Sequence, residues 1–174
     1  KIIKALKKRS ILSNTLIVFT TDHGDYMGEH GLMGKMQMHE AAYHIPMIIH
    51  YPNKIPLPRQ QDFMWSTIDF APTLLDLLNI KTKTKFEGIS HASKLLGKAD
   101  RVKSDNPIYL EETNFSNGKF KKTRLGIISK DFWYVQEHGK PKYLYDKNKD
   151  QLQKRNLANL PEYETRMSEL DKEV

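Results

Sequence analysis

The sequence predicts an α/β core segment followed by a small antiparallel sheet that carries a C-terminal helix. The core is predicted by two apolar runs, residues 15–20 and 45–51, with a stretch of helix length between them at residues 35–43. The sheet is predicted because short β-type segments separated by turn residues follow residue 106. A change of pattern at this point indicates two structural parts.

The two apolar runs differ from ordinary surface strands. Residues 15–20 are TLIVFT and residues 45–51 are IPMIIHY, so most positions are apolar or β-branched. Continuous hydrophobicity of this kind is typical of strands that are buried on both faces. Pro46 stands near the start of the second run, where a missing backbone donor does least harm. We expect both strands to be buried on both faces in a layered core.

A helix packed on its leucines is predicted over residues 69–79. Asp69 can cap its start, and Pro72 lies in the first turn, where a missing N–H is tolerated. The polar residues after it, 81–106, predict a long loop with at most one short helix. We therefore expect two domains, residues 1–104 and residues 105–174.

The second domain is predicted to be an antiparallel sheet covered by a helix. Its strands are expected at residues 107–112, 124–129, 131–136 and 142–145. Turns are signalled by Asn117-Gly118 and by the HGKP sequence of residues 138–141. The helix is expected from Pro161 to Leu170, where apolar residues recur at helical spacing.

Composition narrows the possible functions. A chain of 174 residues with 39% hydrophobic residues can bury a core, and none of its apolar runs approaches the roughly 20 residues that span a bilayer. Because there is no cysteine, disulfides, thiolate metal sites and cysteine nucleophiles are excluded within these residues. The net charge of +7 fits a dispersed, solvated basic surface. Trp65, Trp133 and Tyr134 are expected in cores. Residues 132–134 (FWY) are not expected to form a nucleic-acid platform, because no single-strand-binding signature accompanies them.

Residues 20–35, TTDHGDYMGEHGLMGK, carry the densest set of chemical groups and follow the first strand directly. Ligands of α/β sheets bind at the carboxyl ends of strands. Asp22 and His23 can turn on Gly24 towards one metal ion, and the glycine-rich loop could bring Lys35 over a bound anion. On these residues alone a second interpretation stays open, in which the aspartate makes an Asx-type turn and the histidine and lysine are solvated.

Five motifs occur in a fixed order along the chain. They are the DHG, GEHG and lysine sequence of residues 22–35, the strand segment of residues 40–52, the DFAPTLLD helix of residues 69–76, the link of residues 86–97 and the YLYDKNKD and NLA ending of residues 143–158. In this order they resemble the sulfatase family of the alkaline-phosphatase-like superfamily. The resemblance implies the C-terminal part of an alkaline-phosphatase-like α/β/α sandwich, followed by the small sheet and helix.

Carried over to these positions, the resemblance makes Asp22 and His23 ligands of a divalent cation and Lys35 a catalytic group that binds the sulfate oxygens. A fixed cation and a fixed ammonium stabilise negative charge in a transition state. Calcium is the family's usual ion. Manganese stays open, because the family often has Asn at position 23 and imidazole is a less usual ligand for calcium. A position near His44 can face the substrate in this family, so His44 is a further substrate-binding candidate.

The resemblance also implies groups that these residues lack. The family's nucleophile is a formylglycine made in a Cys/Ser-x-Pro-x-Arg motif, which lies upstream together with a second pair of acidic metal ligands, and neither occurs here. Residues 1–8 are typical of the end of a helix without its beginning, so we expect a piece of a longer protein. We expect this piece alone to be inactive and to bind metal poorly.

The resemblance therefore implies metal-dependent hydrolysis of sulfate esters by the full-length protein, with a sulfated small molecule or glycan as substrate. Two alternatives stay open: a phosphonate or phosphate ester hydrolase of the same superfamily, and a homologue without catalysis. No nucleic-acid partner is expected. The family slightly favours a periplasmic or secreted location, and substrate specificity in this architecture depends on loops mostly outside these residues. No oligomeric state is predicted.

Overall fold

A computed structural model describes residues 1–55, 60, 63–98 and 106–174. Among these, the helices are α1 (Ile2–Lys8), α2 (Glu40–Tyr43), α3 (Phe70–Leu78), α4 (Ala92–Leu95) and α5 (Glu164–Asp171). The strands are β1 (Ile17–Phe19), β2 (Ile48–His50), β3 (Ile108–Ser116), β4 (Lys119–Ile128), β5 (Phe132–Glu137) and β6 (Lys140–Asp146). Within the described part of the chain, no helix has the length and apolar character needed to cross a membrane.

The chain divides into two compact units, each of which contains two separate segments of the chain. One unit contains Lys1–Asp22 and Ile45–Ser104, and the other contains His23–His44 and Asp105–Val174. The predicted boundary between residues 104 and 105 lies outside the described residues. Residues 23–44, which the sequence predicts to be part of the first domain, group with the C-terminal sheet, since the Met38 carbonyl and the His39 ring hydrogen-bond to that sheet.

In the first unit, β1 and β2 pair as an antiparallel ribbon. The prediction that both strands are buried on both faces is wrong for the described residues, because the paired residues Phe19 and Ile48 are 61% and 60% exposed. The opposite face is packed, since Ile49 contacts the cluster of Leu77 and Leu95 from α3 and α4. A covering element on one face only explains the difference from the prediction.

The start of α3 is fixed by a capping box in the 3₁₀ turn Thr67–Asp69. Ser66 and Asp69 cap each other in this turn. Asp69 also stands at the N-cap position of α3, but its side chain makes no capping hydrogen bond to that helix. The Asp69 carboxylate also accepts a hydrogen bond from the backbone N–H of Ile89 at 2.8 Å and lies 3.1 Å from His91 Nε2. One carboxylate thus ties the segment before α4 to the beginning of α3.

The second unit contains a four-stranded antiparallel sheet in the order β3-β4-β5-β6. The predicted turns are confirmed by positive φ angles. These are 52° and 73° for Asn117 and Gly118, and 51° and 75° for His138 and Gly139. The predicted C-terminal helix is also confirmed, with Pro161 opening a 3₁₀ turn before α5. The core between helix and sheet consists of Ile127, Tyr134, Leu144, Leu157, Met167 and Leu170.

Candidate active-site loop

Asp22 is the last residue of the first of the two chain segments that form the first unit, and it follows β1 by three positions. Its side chain is exposed, and Oδ1 accepts a hydrogen bond from the Thr21 hydroxyl at 3.2 Å. A carboxylate at the end of a strand is a suitable ligand for a divalent cation. The role of Asp22 as a metal ligand stays a prediction.

The second unit begins at His23, and the next residue, Gly24, is fixed by a backbone hydrogen bond. Gly24 N donates to Ala42 O at 2.8 Å, and a Cβ at position 24 would lie 2.0 Å from Ala41 O. Only glycine fits here, because a carbonyl oxygen occupies the place of a side chain. The half-buried His23 ring lies with Nδ1 2.6 Å from Gly24 O.

The contact between His23 and Gly24 defines the proton position on the ring. A carbonyl oxygen can only accept, so Nδ1 carries the proton and the lone pair of the neutral imidazole is on Nε2. Metal-bound histidines are commonly oriented in this way, by donating the other ring N–H to a backbone carbonyl. The carboxylate of Asp22 and the imidazole of His23 are each of a chemical type that binds divalent cations.

The loop that follows closes on itself through backbone hydrogen bonds. Tyr26 N donates to Gly34 O at 2.8 Å, and Gly28 N donates to Leu32 O at 2.9 Å. The glycines at positions 28, 31 and 34 have positive φ angles of 98°, 68° and 73°, which favour glycine. The loop is therefore a defined turn, and the exposed Lys35 follows it directly.

His39 joins this loop to the sheet. Its Nδ1 lies 2.7 Å from the hydroxyl of Tyr26, and its Nε2 lies 3.0 Å from the hydroxyl of Tyr145. The Tyr26 hydroxyl also lies 2.8 Å from Gln37 O, to which it donates. Since the single hydroxyl proton is used there, Nδ1 of His39 donates to the tyrosine oxygen and Nε2 accepts from Tyr145.

The surroundings of His39 keep its ring neutral. Burial, followed by the nearby His30 and Lys142, lowers the pKa of His39 to about 4. The His30 ring stacks on it, with centroids 4.3 Å apart. Burial also raises the pKa of Tyr26 to about 12, so its hydroxyl stays a donor at neutral pH.

The segment after His39 is held by the same unit. Glu40 N donates to Gln153 Oε1 at 2.7 Å. The exposed His44 ring lies with Nδ1 2.6 Å from Glu40 Oε1, and this hydrogen bond raises the pKa of His44. The candidates His23, Lys35 and His44 therefore belong to one unit with the C-terminal sheet, whereas Asp22 belongs to the other. Across the described ranges, no group of three or more His, Cys, Asp or Glu side chains could hold a metal.

Comparison with known proteins gives the family. The protein-family model described as "N-sulphoglucosamine sulphohydrolase, C-terminal" matches residues 28–174. An N-acetylglucosamine-6-O-sulfatase of Bacteroides thetaiotaomicron is 28% identical over 98% of this chain, which corresponds to 31% of the relative. The chain thus spans about a third of the length of that relative.

Solved structures agree with this match. A protein in complex with its substrate D-glucosamine-2-N,6-O-disulfate is similar with a TM-score of 0.77 and 28% identity, over 98% of this chain and 35% of that chain. The phosphonate monoester hydrolase of Agrobacterium radiobacter is similar with a TM-score of 0.81 and 28% identity, over 98% of this chain and 36% of that chain. The predicted fold class is confirmed. The chain belongs to the sulfatase family, as a segment related to the C-terminal region of N-sulphoglucosamine sulphohydrolase.

Proposed function

We propose that the full-length protein containing this chain is a metal-dependent sulfatase that hydrolyses sulfate esters of sugars. The observation that carries the proposal is the ordered loop of residues 23–35. In this loop Nδ1 of His23 is held by a backbone carbonyl, and the exposed Lys35 follows the turn that Gly34 closes. A loop built in this way, in a chain of the sulfatase family, supports a role in anion binding.

In this proposal Asp22 and His23 are ligands of a divalent cation, with calcium as the first candidate and manganese as the alternative. When bound, the cation supplies Lewis-acid stabilisation of the sulfate oxygens. The ammonium of Lys35 binds one of these oxygens and stabilises negative charge as it develops. His44, oriented by Glu40, contacts the substrate. Two ligands do not complete the coordination of calcium, so further ligands and a formylglycine nucleophile are proposed outside these residues.

The substrate class in this proposal is a sulfated amino sugar. Support comes from the relative named as an N-acetylglucosamine-6-O-sulfatase and from the similar structure solved with D-glucosamine-2-N,6-O-disulfate as its substrate. Hydrolysis of phosphonate monoesters is the second candidate, because the Agrobacterium radiobacter enzyme is equally identical to this chain. The third candidate, a homologue without catalysis, requires that the gene lack the nucleophile motif.

The assay that separates these candidates compares matched esters. The full-length protein should hydrolyse an aryl sulfate and a 6-O-sulfated glucosamine faster than the corresponding phosphonate monoester. We expect Lys35→Ala to lower kcat/KM for the sulfate by about 10²-fold or more, because a charge-stabilising group is removed. The exposed Lys130→Ala serves as the control and should leave kcat/KM unchanged. Preference for the phosphonate would select the second candidate, and inactivity on every ester would reject the proposal.

The proposed metal site predicts a change in ion preference. His23→Asn replaces an imidazole nitrogen by an amide oxygen, which calcium prefers. We expect metal analysis of the purified full-length protein to give a higher ratio of calcium to manganese for this variant than for the wild type. His138→Asn, a histidine in the turn between β5 and β6, should leave the ratio unchanged. An unchanged ratio in His23→Asn would contradict the assignment of His23 as a ligand.

A further inference from the structure

The segment that follows Lys35 is held in place by side chains that donate hydrogen bonds to three of its consecutive backbone carbonyls. Arg124 Nη1 donates to Met36 O at 2.9 Å, and the Tyr26 hydroxyl donates to Gln37 O at 2.8 Å. The indole Nε1 of Trp133 donates to Met38 O, also at 2.9 Å. Each of these three successive carbonyls is therefore paired with a side-chain donor. The path of the chain beside Lys35 is thus set by side chains of β4, β5 and the loop.

Of these three donors, Arg124 binds the carbonyl that is nearest in sequence to Lys35. The Arg124 side chain is itself fixed by residues of the strands on both sides of β4. In the sheet register it stands opposite Glu112 of β3 and opposite Glu137 of β5. Its Nη1 lies 2.7 Å from Glu112 Oε2, and its Nε lies 2.6 Å from Glu137 Oε1. The side chain is 13% exposed. Two carboxylates therefore hold the guanidinium in one orientation, as its planar fork of donors allows.

A β-bulge lies next to this arginine. The pairing of β3 with β4 passes from Glu112↔Arg124 to Thr113↔Lys122, so Thr123 is an extra residue on β4. Bulges bend a strand and redirect the side chains beside them, and they are frequent near functional sites. The Thr123 hydroxyl donates to Glu112 O at 3.2 Å, which stabilises the irregular pairing. The bulge is thus a local reason why Arg124 reaches a loop carbonyl as well as its two carboxylates.

We propose that Arg124 is a positioning residue for Lys35: by binding the Met36 carbonyl it fixes the backbone that presents the substrate-binding ammonium. This inference rests on the proposed role of Lys35 in sulfate binding. The chemistry requires such fixation, because a charged group stabilises a transition state only from a defined place and not while its backbone moves. Arg124 acts through Lys35 and does not itself touch the substrate.

The test is a double-mutant cycle in the full-length protein, measured as kcat/KM for an aryl sulfate. Arg124→Met removes the donors, and we expect it to lower kcat/KM by about ten- to a hundredfold when Lys35 is present. In the Lys35→Ala background the same change should cost less than about twofold, because the group that is positioned has already gone. Equal losses in both backgrounds would overturn the inference, since a general structural defect acts independently of Lys35.

Lys122→Met is the matched control. It breaks the ion pair between Lys122 of β4 and Glu111 of β3, whose charged atoms are 2.7 Å apart. The two side chains are 62% and 46% exposed. We expect its kcat/KM to change by less than about twofold. If Arg124→Met fails to fold, Arg124→Lys replaces it in the cycle, because the lysine retains a charge between the two glutamates. It should give a smaller loss that again depends on Lys35, and a loss independent of Lys35 would reject the inference.

Hydrogen exchange separates failure of this inference from failure of the proposed function. Amides of residues 26–38 should exchange faster in Arg124→Met, or in Arg124→Lys, than in Lys122→Met, whether or not the protein turns over sulfate esters. An inactive wild type with this exchange pattern would reject the proposed function and leave Arg124 as the anchor of the loop. An active wild type whose loop exchange is unaffected by Arg124 would reject the inference and leave the function standing.

Discussion

The β1–β2 ribbon and the four-stranded sheet are both antiparallel, yet they bury their paired residues to different extents. Phe19 and Ile48 are partners in the ribbon and are 61% and 60% exposed, whereas Tyr134 and Leu144 are partners in the sheet and are fully buried. α5 covers the sheet through Met167 and Leu170. Hydrophobicity of a strand therefore leads to burial only where another element covers that face, as it does on one side of the ribbon.

The largest expected effect tests this comparison directly. In the 174-residue chain, Leu144→Ala should lower the free energy of unfolding by about 2–5 kcal/mol, because it leaves a cavity beneath α5. Ile48→Ala removes a similar volume from an exposed position and should change the free energy by no more than about 0.5 kcal/mol. Urea unfolding measures both values. Similar losses for the two variants would show that the exposed face of the ribbon is packed in solution.

A second prediction concerns the buried polar contacts that join the loop to the sheet. His39 contacts two tyrosine hydroxyls, whereas the buried His91 of the first unit contacts the carboxylate of Asp69. Protonation of His39 would place a second N–H against the Tyr145 hydroxyl and charge a ring that is only 4% exposed. A neutral histidine with neutral partners therefore makes the second unit sensitive to acid.

The sign of this effect follows from the lowered pKa of His39, about 4 in the folded protein against 6.5 for the free side chain. Between these values the unfolded chain binds a proton that the folded chain does not, so stability is lost as the pH falls from about 6.5 to about 4. Integrated over that window, the loss is roughly 3 kcal/mol. His39→Gln should lack this part of the pH dependence, as measured by urea unfolding at several pH values. Parallel curves for the variant and the wild type would contradict the assignment.

Local patterns predicted local structure well. The Pro72 and leucine pattern predicted α3, and the Asn117-Gly118 and His138-Gly139 pairs predicted both turns, because their signals lie within a few residues. The predicted burial of Trp133 and Tyr134 is confirmed, because these residues are 3% and 0% exposed. The order of the motifs along the chain also indicated the family, because several weak motifs in one fixed order are far more specific than any one of them.

Contacts between distant residues could not be predicted in this way. The His39 to Tyr145 contact joins residues 106 positions apart, and the Arg124 to Met36 contact joins residues 88 positions apart. No periodicity or spacing links such partners. His39 therefore had no feature to distinguish it from an ordinary packing histidine, and Arg124 had none to distinguish it from a surface charge. The roles of Asp22, His23, Lys35 and His44 stay predictions that the experiments above test.

The smallest expected effect distinguishes two physical reasons why a position requires glycine. Gly24 has no room for a side chain, since a Cβ would lie 2.0 Å from Ala41 O, whereas Gly118 has open space but a φ of +73°. We expect Gly24→Ala to cost about 1–3 kcal/mol through overpacking. Gly118→Ala should cost about 1 kcal/mol through backbone strain.

Asparagine distinguishes the two cases, because it tolerates the left-handed region but is larger than alanine. Gly118→Asn should therefore recover most of the stability that Gly118→Ala loses, and Gly24→Asn should be at least as unstable as Gly24→Ala. Thermal melting of the four variants gives the comparison. Recovery at position 24 would mean that the loop backbone moves away from Ala41 at little cost. In that case the turn that orients His23 would be adaptable, and a fixed metal ligand at this position would lose its structural basis.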